Sequence, residues 1–323
     1  MCDIKENNSR HFRDVVLPYV LIARPDHWFK NVFVVPGIIV AYGFHPALSA
    51  ADVNNIVWGF ISISLIASSN YIINEVLDAP YDIYHPHKKN RPIPAGMVIL
   101  GIAYTEWLVL MTVGLAIAYI VSFSYVLAML SLWIMGCVYN IRPLRTKEKP
   151  IVDVLSEAVN NPIRLLAGWF MISPDTIPPL SLIISYWCIG CFFMAIKRFS
   201  EYRIFEEDQH ALYRSSFRFY TEPKLMVSIM FYASAAMLFF GLFVARYRLE
   251  LVLSFPMVAL VMAYYLALGF QKDSIVQTPE KLYKNPVLIL LLVLCVIVMT
   301  AGMLIDMPLL YKIFVSSPLS IPW

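Results

Sequence analysis

Nine apolar stretches dominate the chain, near residues 31–49, 55–78, 97–117, 121–141, 151–172, 179–200, 224–245, 250–270 and 286–310. Each is close to the roughly 20 residues that an α-helix needs to cross the ~30 Å hydrocarbon layer of a bilayer. Inside that layer backbone polar groups find no water, so each span must satisfy them within its own helix. Charged residues make up only 15% of the 323 residues, against about 25% in a soluble domain, and mean hydropathy is +0.67. These features predict an all-α, polytopic membrane bundle of about nine transmembrane helices. Residues 1–30 read as a cytosolic or interfacial arm with a short amphipathic helix around Phe12–Ala23, and 31–323 as a single transmembrane domain. The arm is no secretory signal, because Lys5, Glu6, Arg10, Arg13, Asp14 and Arg24 interrupt it. A formal net charge of +3 gives no reason to expect a nucleic-acid partner. The five cysteines form no disulfide framework; Cys188 and Cys191 lie inside an apolar stretch and read as small buried hydrophobes.

Basic residues cluster in alternate connections: Lys88, Lys89 and Arg91; Arg142, Arg145, Lys147 and Lys149; Lys197 through Lys224; and Lys272, Lys281 and Lys284. By the positive-inside rule those loops and the N-terminus face the cytoplasm, and an odd number of spans puts Trp323 outside.

The end of the second stretch reads Asn74-Glu-Val-Leu-Asp78-Ala-Pro-Tyr-Asp82, followed by a loop rich in bases. Steps of four residues turn only about 40° around a helix, so Asn74, Asp78 and Asp82 share one face. Carboxylates at a membrane edge need a partner. Mg2+ suits them, since it takes one or two carboxylates and completes its shell with water and phosphate oxygens. Lys88, Lys89 and Arg91 would hold the rest of a polyanion. The plainer reading is a helix end with solvated charges. Pro80 lies inside the run and cannot donate to Val76, so a kink or an end is expected there. His85 and His87, nearby, read as solvated loop residues.

Other polar groups interrupt later stretches. Asp153, Glu157, Asn160 and Arg164 recur at three- and four-residue steps in the fifth, as one polar stripe, with a structural Glu157–Arg164 pair as the alternative. Lys197, Arg198 and Glu201 close the sixth, where snorkelling bases are the ordinary explanation. Carboxylates alone would suit a cation and bases alone lipid head groups; together they suit a metal–diphosphate complex.

These residues resemble the UbiA-type intramembrane prenyltransferase superfamily, whose first signature is an N-D-x-x-D-x-x-x-D run followed by R-P-x-x-x-G. Here it reads Asn74-Glu75-x-x-Asp78-x-x-x-Asp82, then Arg91-Pro92-Ile-Pro-Ala-Gly96, with Glu75 in place of Asp. The second Asp-rich motif of members that prenylate aromatic rings is missing; Glu206-Glu207-Asp208 lacks its spacing. Instead, Lys197-Arg198-Phe-Ser-Glu201 is similar to the K-R-x-x-E ending of the decaprenyl-phosphate phosphoribosyltransferase branch. Also similar are Arg24-Pro-Asp-His-Trp28-Phe-Lys30-Asn31, Tyr139-Asn-Ile-Arg142 with Lys147, and Asp153 with Arg164. Phe193 stands where that branch has Tyr.

The resemblance implies transfer of a 5-phosphoribosyl group from phosphoribosyl diphosphate (PRPP) to a polyprenyl phosphate, with release of pyrophosphate. A Mg2+ ion held by Asn74, Asp78 and Asp82 assists the leaving group. Asp78, Asp82 and Lys197 are the catalytic candidates. Lys88, Arg91, Tyr139, Arg142, Arg145, Lys147, Asp153, Arg164, Arg198 and Glu201 are candidates for substrate binding, with Lys30 and Asn31 toward the lipid phosphate. The implied location is a bacterial inner or plasma membrane with the site facing the cytoplasm and membrane lipids as neighbours. The alternatives are prenyl transfer to an aromatic or other small acceptor on the same fold, a terpene cyclase built on this bundle, and a transporter or lipid carrier. The last would tend to show repeated halves, which the chain lacks.

Overall fold

The computed structural model describes residues 15–45, 49–83, 88–203, 215–271, 274–277 and 279–314. The expectations for residues before Val15, for His85, His87 and 206–208, and for Trp323 lie outside the described residues. The fold is all-α. Among the described residues twelve α-helices carry it: α1 (Leu17–Ile22), α2 (Val35–Phe44), α3 (Ala50–Asp82), α4 (Leu100–Val121), α5 (Phe123–Asn140), α6 (Val152–Ala158), α7 (Asn160–Ile172), α8 (Leu180–Tyr202), α9 (Glu222–Tyr247), α10 (Phe255–Gly269), α11 (Pro286–Leu304) and α12 (Pro308–Phe314).

Among the described residues, seven segments are long and apolar enough to cross a membrane: α3, α4, α5, α8, α9, Leu249–Gly269 and α11. The first and fifth expected spans are each divided into shorter helical pieces, and the other seven are continuous. Residues Pro25–Val34 form a 3-10 helix, and the α-helix begins only at Val35, beside Pro36. Pro36 has no N–H to give to Val32 and is tolerated only in a first helical turn. The fifth breaks at Val159 between α6 and α7, where Pro162 cannot donate to Ala158. That break also interrupts the expected polar stripe from Asp153 to Arg164. Pro80 does not end the helix, because α3 runs on through it to Asp82.

The helix starts follow local chemistry. Ser49 caps α3 in a reciprocal pair with Asp52, while Ser122, Thr221 and Asn285 cap α5, α9 and α11 through their side chains. The chain falls into two compact units, Met1–Ile38 with Ala47–Ile177, and Ile39–Pro46 with Pro178–Trp323.

In the first unit, α3 is the central helix. Ile63 and Ile66 of α3 pack with Tyr125, Met129 and Leu132 of α5 and with Ile163, Ala167 and Met171 of α7. Lipid is as apolar as these side chains, so close packing and polar ties between helices do the work of association. Ser62 Oγ donates to the Gly114 carbonyl at 2.8 Å, Asn70 Nδ2 to the Leu132 carbonyl at 2.9 Å and Tyr125 Oη to the Gly59 carbonyl at 2.7 Å. Gly168 of α7 lies backbone to backbone with Val34, leaving no space for a Cβ. On α4, Ile102, Leu108, Val109, Val113 and Ile120 are exposed, as expected of a face turned to lipid.

In the second unit α8 and α9 pair, tied by Ser185 Oγ donating to the Ala236 carbonyl at 2.9 Å. Phe193 of α8 meets the Tyr265 ring of α10 edge-on at 4.6 Å between centroids. Cys188 and Cys191 are free thiols, Cys191 buried, as expected of small apolar side chains.

Candidate functional site

The site is built at the end of α3 where its polar residues emerge. Thirty-three residues at 1.5 Å each make α3 about 50 Å long, well beyond the ~30 Å of hydrocarbon. Its last turns therefore carry acids without placing them in lipid. Opposite stands the end of α5 and the short 3-10 turn Thr146–Glu148, packed on α6 through Ser156 Oγ donating to Thr146 Oγ1 at 2.9 Å.

Asn140, the last residue of α5, is the hub. Its Oδ1 accepts from Asn74 Nδ2 at 2.5 Å and from Lys147 Nζ at 2.9 Å, and its Nδ2 donates to the Gly136 carbonyl at 2.9 Å. Lys147 also pairs with Asp78 Oδ1, and Arg145 Nη2 reaches the same oxygen at 3.1 Å. Both bases are buried; a charge so placed needs a partner within contact distance. Arg145 Nε donates to Glu148 Oε1 at 2.5 Å, and its guanidinium lies 5.3 Å from the Tyr81 ring centroid. Arg145 holds a left-handed backbone (φ 28°, ψ 59°), a conformation uncommon outside glycine that its bonds to Asp78, Glu148 and the Asn140 carbonyl oppose with fixed partners. More exposed, Arg142 donates to Tyr81 Oη at 3.2 Å.

One helical turn beyond Asp78, Asp82 receives different bases. Arg91 Nη1 donates to its Oδ2 at 2.6 Å, and Lys88 Nζ lies 3.9 Å from Oδ1. The structure thus joins Asn74, Asp78, Asp82, Lys88, Arg91, Arg142, Arg145 and Lys147 at one end of the first unit. Tyr139 and Glu157 are bonded to one another, Tyr139 Oη donating to Glu157 Oε2 at 2.7 Å.

The other candidates have partners of their own. Asn31 is buried and donates to Ser64 Oγ at 3.0 Å. Lys30 Nζ is 3.0 Å from His27 Nδ1 and 5.7 Å from the Tyr71 ring centroid. Asp153 is fully buried, and Arg164 Nη1 donates to the Asn160 carbonyl at 3.3 Å. In the second unit Arg198, only 1% exposed, pairs with Glu201 at 2.7 Å, an internal ion pair one turn apart. Lys197, beside it, makes no hydrogen bond or ion pair with the described residues.

Sequence reasoning missed Asn140, Glu148 and Tyr81. Asn140 carried a signal, an amide at the end of an apolar stretch; Glu148 and Tyr81 look like ordinary loop and helix-end residues.

No three His, Cys, Asp or Glu side chains gather as a ready-made metal cage among the described residues. The set is two carboxylates and an amide, which fits Mg2+, an ion that keeps water and phosphate in its shell. Donor atoms remain for it. Both bases on Asp78 use Oδ1, and neither Asp78 Oδ2 nor Asn74 Oδ1 accepts a hydrogen bond from the described residues.

Comparison with known proteins agrees with this architecture. A decaprenyl-phosphate phosphoribosyltransferase of Mycobacterium tuberculosis is 30% identical over 71% of this chain and 74% of its own. The enzyme of the same name from Mycolicibacterium smegmatis is 30% identical over 71% of each chain. Among solved structures, a UbiA homolog from Archaeoglobus fulgidus bound to DMAPP and Mg2+ superposes with a TM-score of 0.65 at 20% identity. That match covers 87% of this chain and 99% of the other, and shows a common fold. The family model described as the UbiA prenyltransferase family matches residues 31–292. The chain belongs to the UbiA prenyltransferase family and is a membrane-embedded transferase of that family.

Proposed function

We propose that the chain transfers a 5-phosphoribosyl group from PRPP to a polyprenyl phosphate and releases pyrophosphate, with Mg2+ as its metal. The observation that carries this reading is the network at the end of α3, in which bases outnumber the acids they neutralise. A metal alone would need only the acids. A site that also gathers Lys88, Arg91, Arg142, Arg145 and Lys147 is suited to a polyanion that brings more charge than the metal removes. The names of the mycobacterial relatives support the same choice of substrates.

In this reading Asn74, Asp78 and Asp82 hold the metal, which when bound acts as a Lewis acid on the departing pyrophosphate. The chain's own residues do the rest. Arg145 and Lys147, fixed by Asn140 and Glu148, exchange their present bonds to Asp78 for diphosphate oxygens. Arg91 and Lys88 do the same from Asp82; Lys197 is the phosphate-binding candidate of the second unit. A phosphate oxygen of the lipid attacks the ribose anomeric carbon, that carbon's bond to the diphosphate oxygen breaks, and pyrophosphate leaves with the electron pair. The nucleophile is already ionised at neutral pH, so no general base is required. Lys30 and Asn31 would face the lipid phosphate, with Tyr139, Asp153 and Arg164 supporting the sugar side. The two compact units form one domain in this reading, since the family model spans both. By the charge of its loops, the catalytic end faces the cytoplasm of a bacterial inner membrane.

The test is a pair of substrate mixtures with purified protein and Mg2+. PRPP with a polyprenyl phosphate should yield pyrophosphate and a lipid-linked phosphoribose. No product from that pair, with turnover of a polyprenyl diphosphate and an aromatic acid, would move the chain to prenyl transfer.

A further inference from the structure

Glu75 has no place in the network just described, yet it is 3% exposed beneath the loop that carries Arg91. That loop reads Arg91-Pro92-Ile93-Pro94-Ala95, so prolines remove two of its backbone donors. The Arg91 N–H goes to the Lys88 carbonyl at 3.0 Å and the Ala95 N–H to the Arg91 carbonyl at 2.9 Å. The N–H of Ile93 remains, and Glu75 Oε1 takes it at 3.3 Å, across 18 residues. Ile93 is itself buried among Ile22, Ile72, Val76, Val98 and Ala103. Seven residues after Glu75, about two turns along nearly the same face of α3, Asp82 takes the Arg91 side chain. The helix therefore grips the loop at two points, by backbone at Ile93 and by guanidinium at Arg91.

We propose that Glu75 is a positioning residue that fixes Arg91 for diphosphate binding, and that its length is what lets it reach Ile93. The inference rests on the reading of Arg91 as a phosphate ligand. Asp at this position would fall short by one methylene. Glu75 and Arg91 also line a cleft of 430 Å³ with Leu21, Arg24 and Asp26. Water from that cleft would satisfy the Ile93 N–H if Glu75 were cut back, but would not hold the loop in place.

Hydrogen exchange and pyrophosphate binding, both on full-length protein with Mg2+, test this. In Glu75→Ala and Glu75→Asp the Ile93 amide should exchange at least about tenfold faster, and pyrophosphate should bind about tenfold more weakly. Glu75→Gln, which keeps the acceptor, should stay within about twofold on both readouts. In an Arg91→Ala background, Glu75→Ala should add less than about twofold to the binding loss. Unchanged Ile93 exchange in Glu75→Ala overturns the inference, as does an undiminished binding loss without Arg91. Wild-type protein that binds no pyrophosphate would instead overturn the phosphate reading of Arg91, while exchange at Ile93 still decides whether Glu75 holds the loop.

Discussion

Asp78→Asn separates what Asp78 does for the fold from what it does for chemistry. The change preserves shape and removes one charge. Arg145 and Lys147 both sit on Asp78 Oδ1, with side chains only 9% and 8% exposed. A hydrogen bond between charged partners contributes about 1.5–3 kcal/mol and a neutral one about 1. Demoting two such bonds removes about 2 kcal/mol, and the 23% exposure of the Asp78 side chain trims that slightly. At about 2–4 °C per kcal/mol, the melting temperature should fall by roughly 4–8 °C. Turnover should fall further, by at least about 100-fold, because a metal ligand worth several kcal/mol in the transition state is gone. Adding Lys147→Met removes one of the two buried charges that Asp78 neutralises. The double variant should regain about half of the lost stability and none of the activity. Pyrophosphate release and thermal unfolding, measured on the same detergent-purified samples, give both numbers. Turnover of Asp78→Asn above a tenth of wild type would refute the metal assignment. An unchanged melting temperature would refute the role of Asp78 as counter-ion to the two bases.

Three further outcomes follow from the same geometry. Chelation by EDTA should stop pyrophosphate release yet move the melting temperature by less than about 2 °C, because bases already neutralise the acids and the metal adds little to the fold; unfolding on chelation would contradict this. Arg198→Ala should destabilise the chain by about 3–5 kcal/mol by removing a buried ion-pair partner of Glu201, and Arg198→Met with Glu201→Leu should restore most of it, both read by thermal unfolding. Gly168→Ala should lower stability by about 1–3 kcal/mol, since the new methyl meets the Val34 carbonyl; a neutral result in the melt would show that α7 has space to shift.

The membrane class and the acid motif are legible in the sequence because both are local. Apolar run length reports spans, and the step from Asn74 to Asp78 to Asp82 reports a shared helix face whatever else the chain does. Arg142, Arg145 and Lys147 are legible as a basic loop, but their pairing is not. Nothing in their spacing says that Arg145 and Lys147 share one oxygen of Asp78, more than sixty residues away, or that Asn140 joins them. The same limit hid the contact between Glu75 and Ile93. Arg198 and Glu201 were visible as charges, yet whether a charge at a span end faces substrate or its own helix depends on what packs around it. The division of the first and fifth stretches was hidden for another reason. Hydropathy carries through Pro36 and Pro162, whereas the hydrogen-bond ladder does not.

The end of α3 shows why hydropathy and helix need not stop together. Counting from Ala50, about 20 residues exhaust the hydrocarbon near residue 70, and from there Asn70, Asn74, Asp78 and Asp82 follow at four-residue steps. The helix goes on because its last turn is still bonded, the Ile83 N–H reaching the Ala79 carbonyl at 3.3 Å. Pro80 subtracts one bond at a depth where water can replace it, so it no longer decides where the helix ends. Had α3 stopped at Pro80, Asp82 would leave the face it shares with Asp78, and Arg91 would lose the oxygen it now binds. Continuation through a proline is therefore what keeps both carboxylates on one rigid element, at the level where bases from two loops reach them.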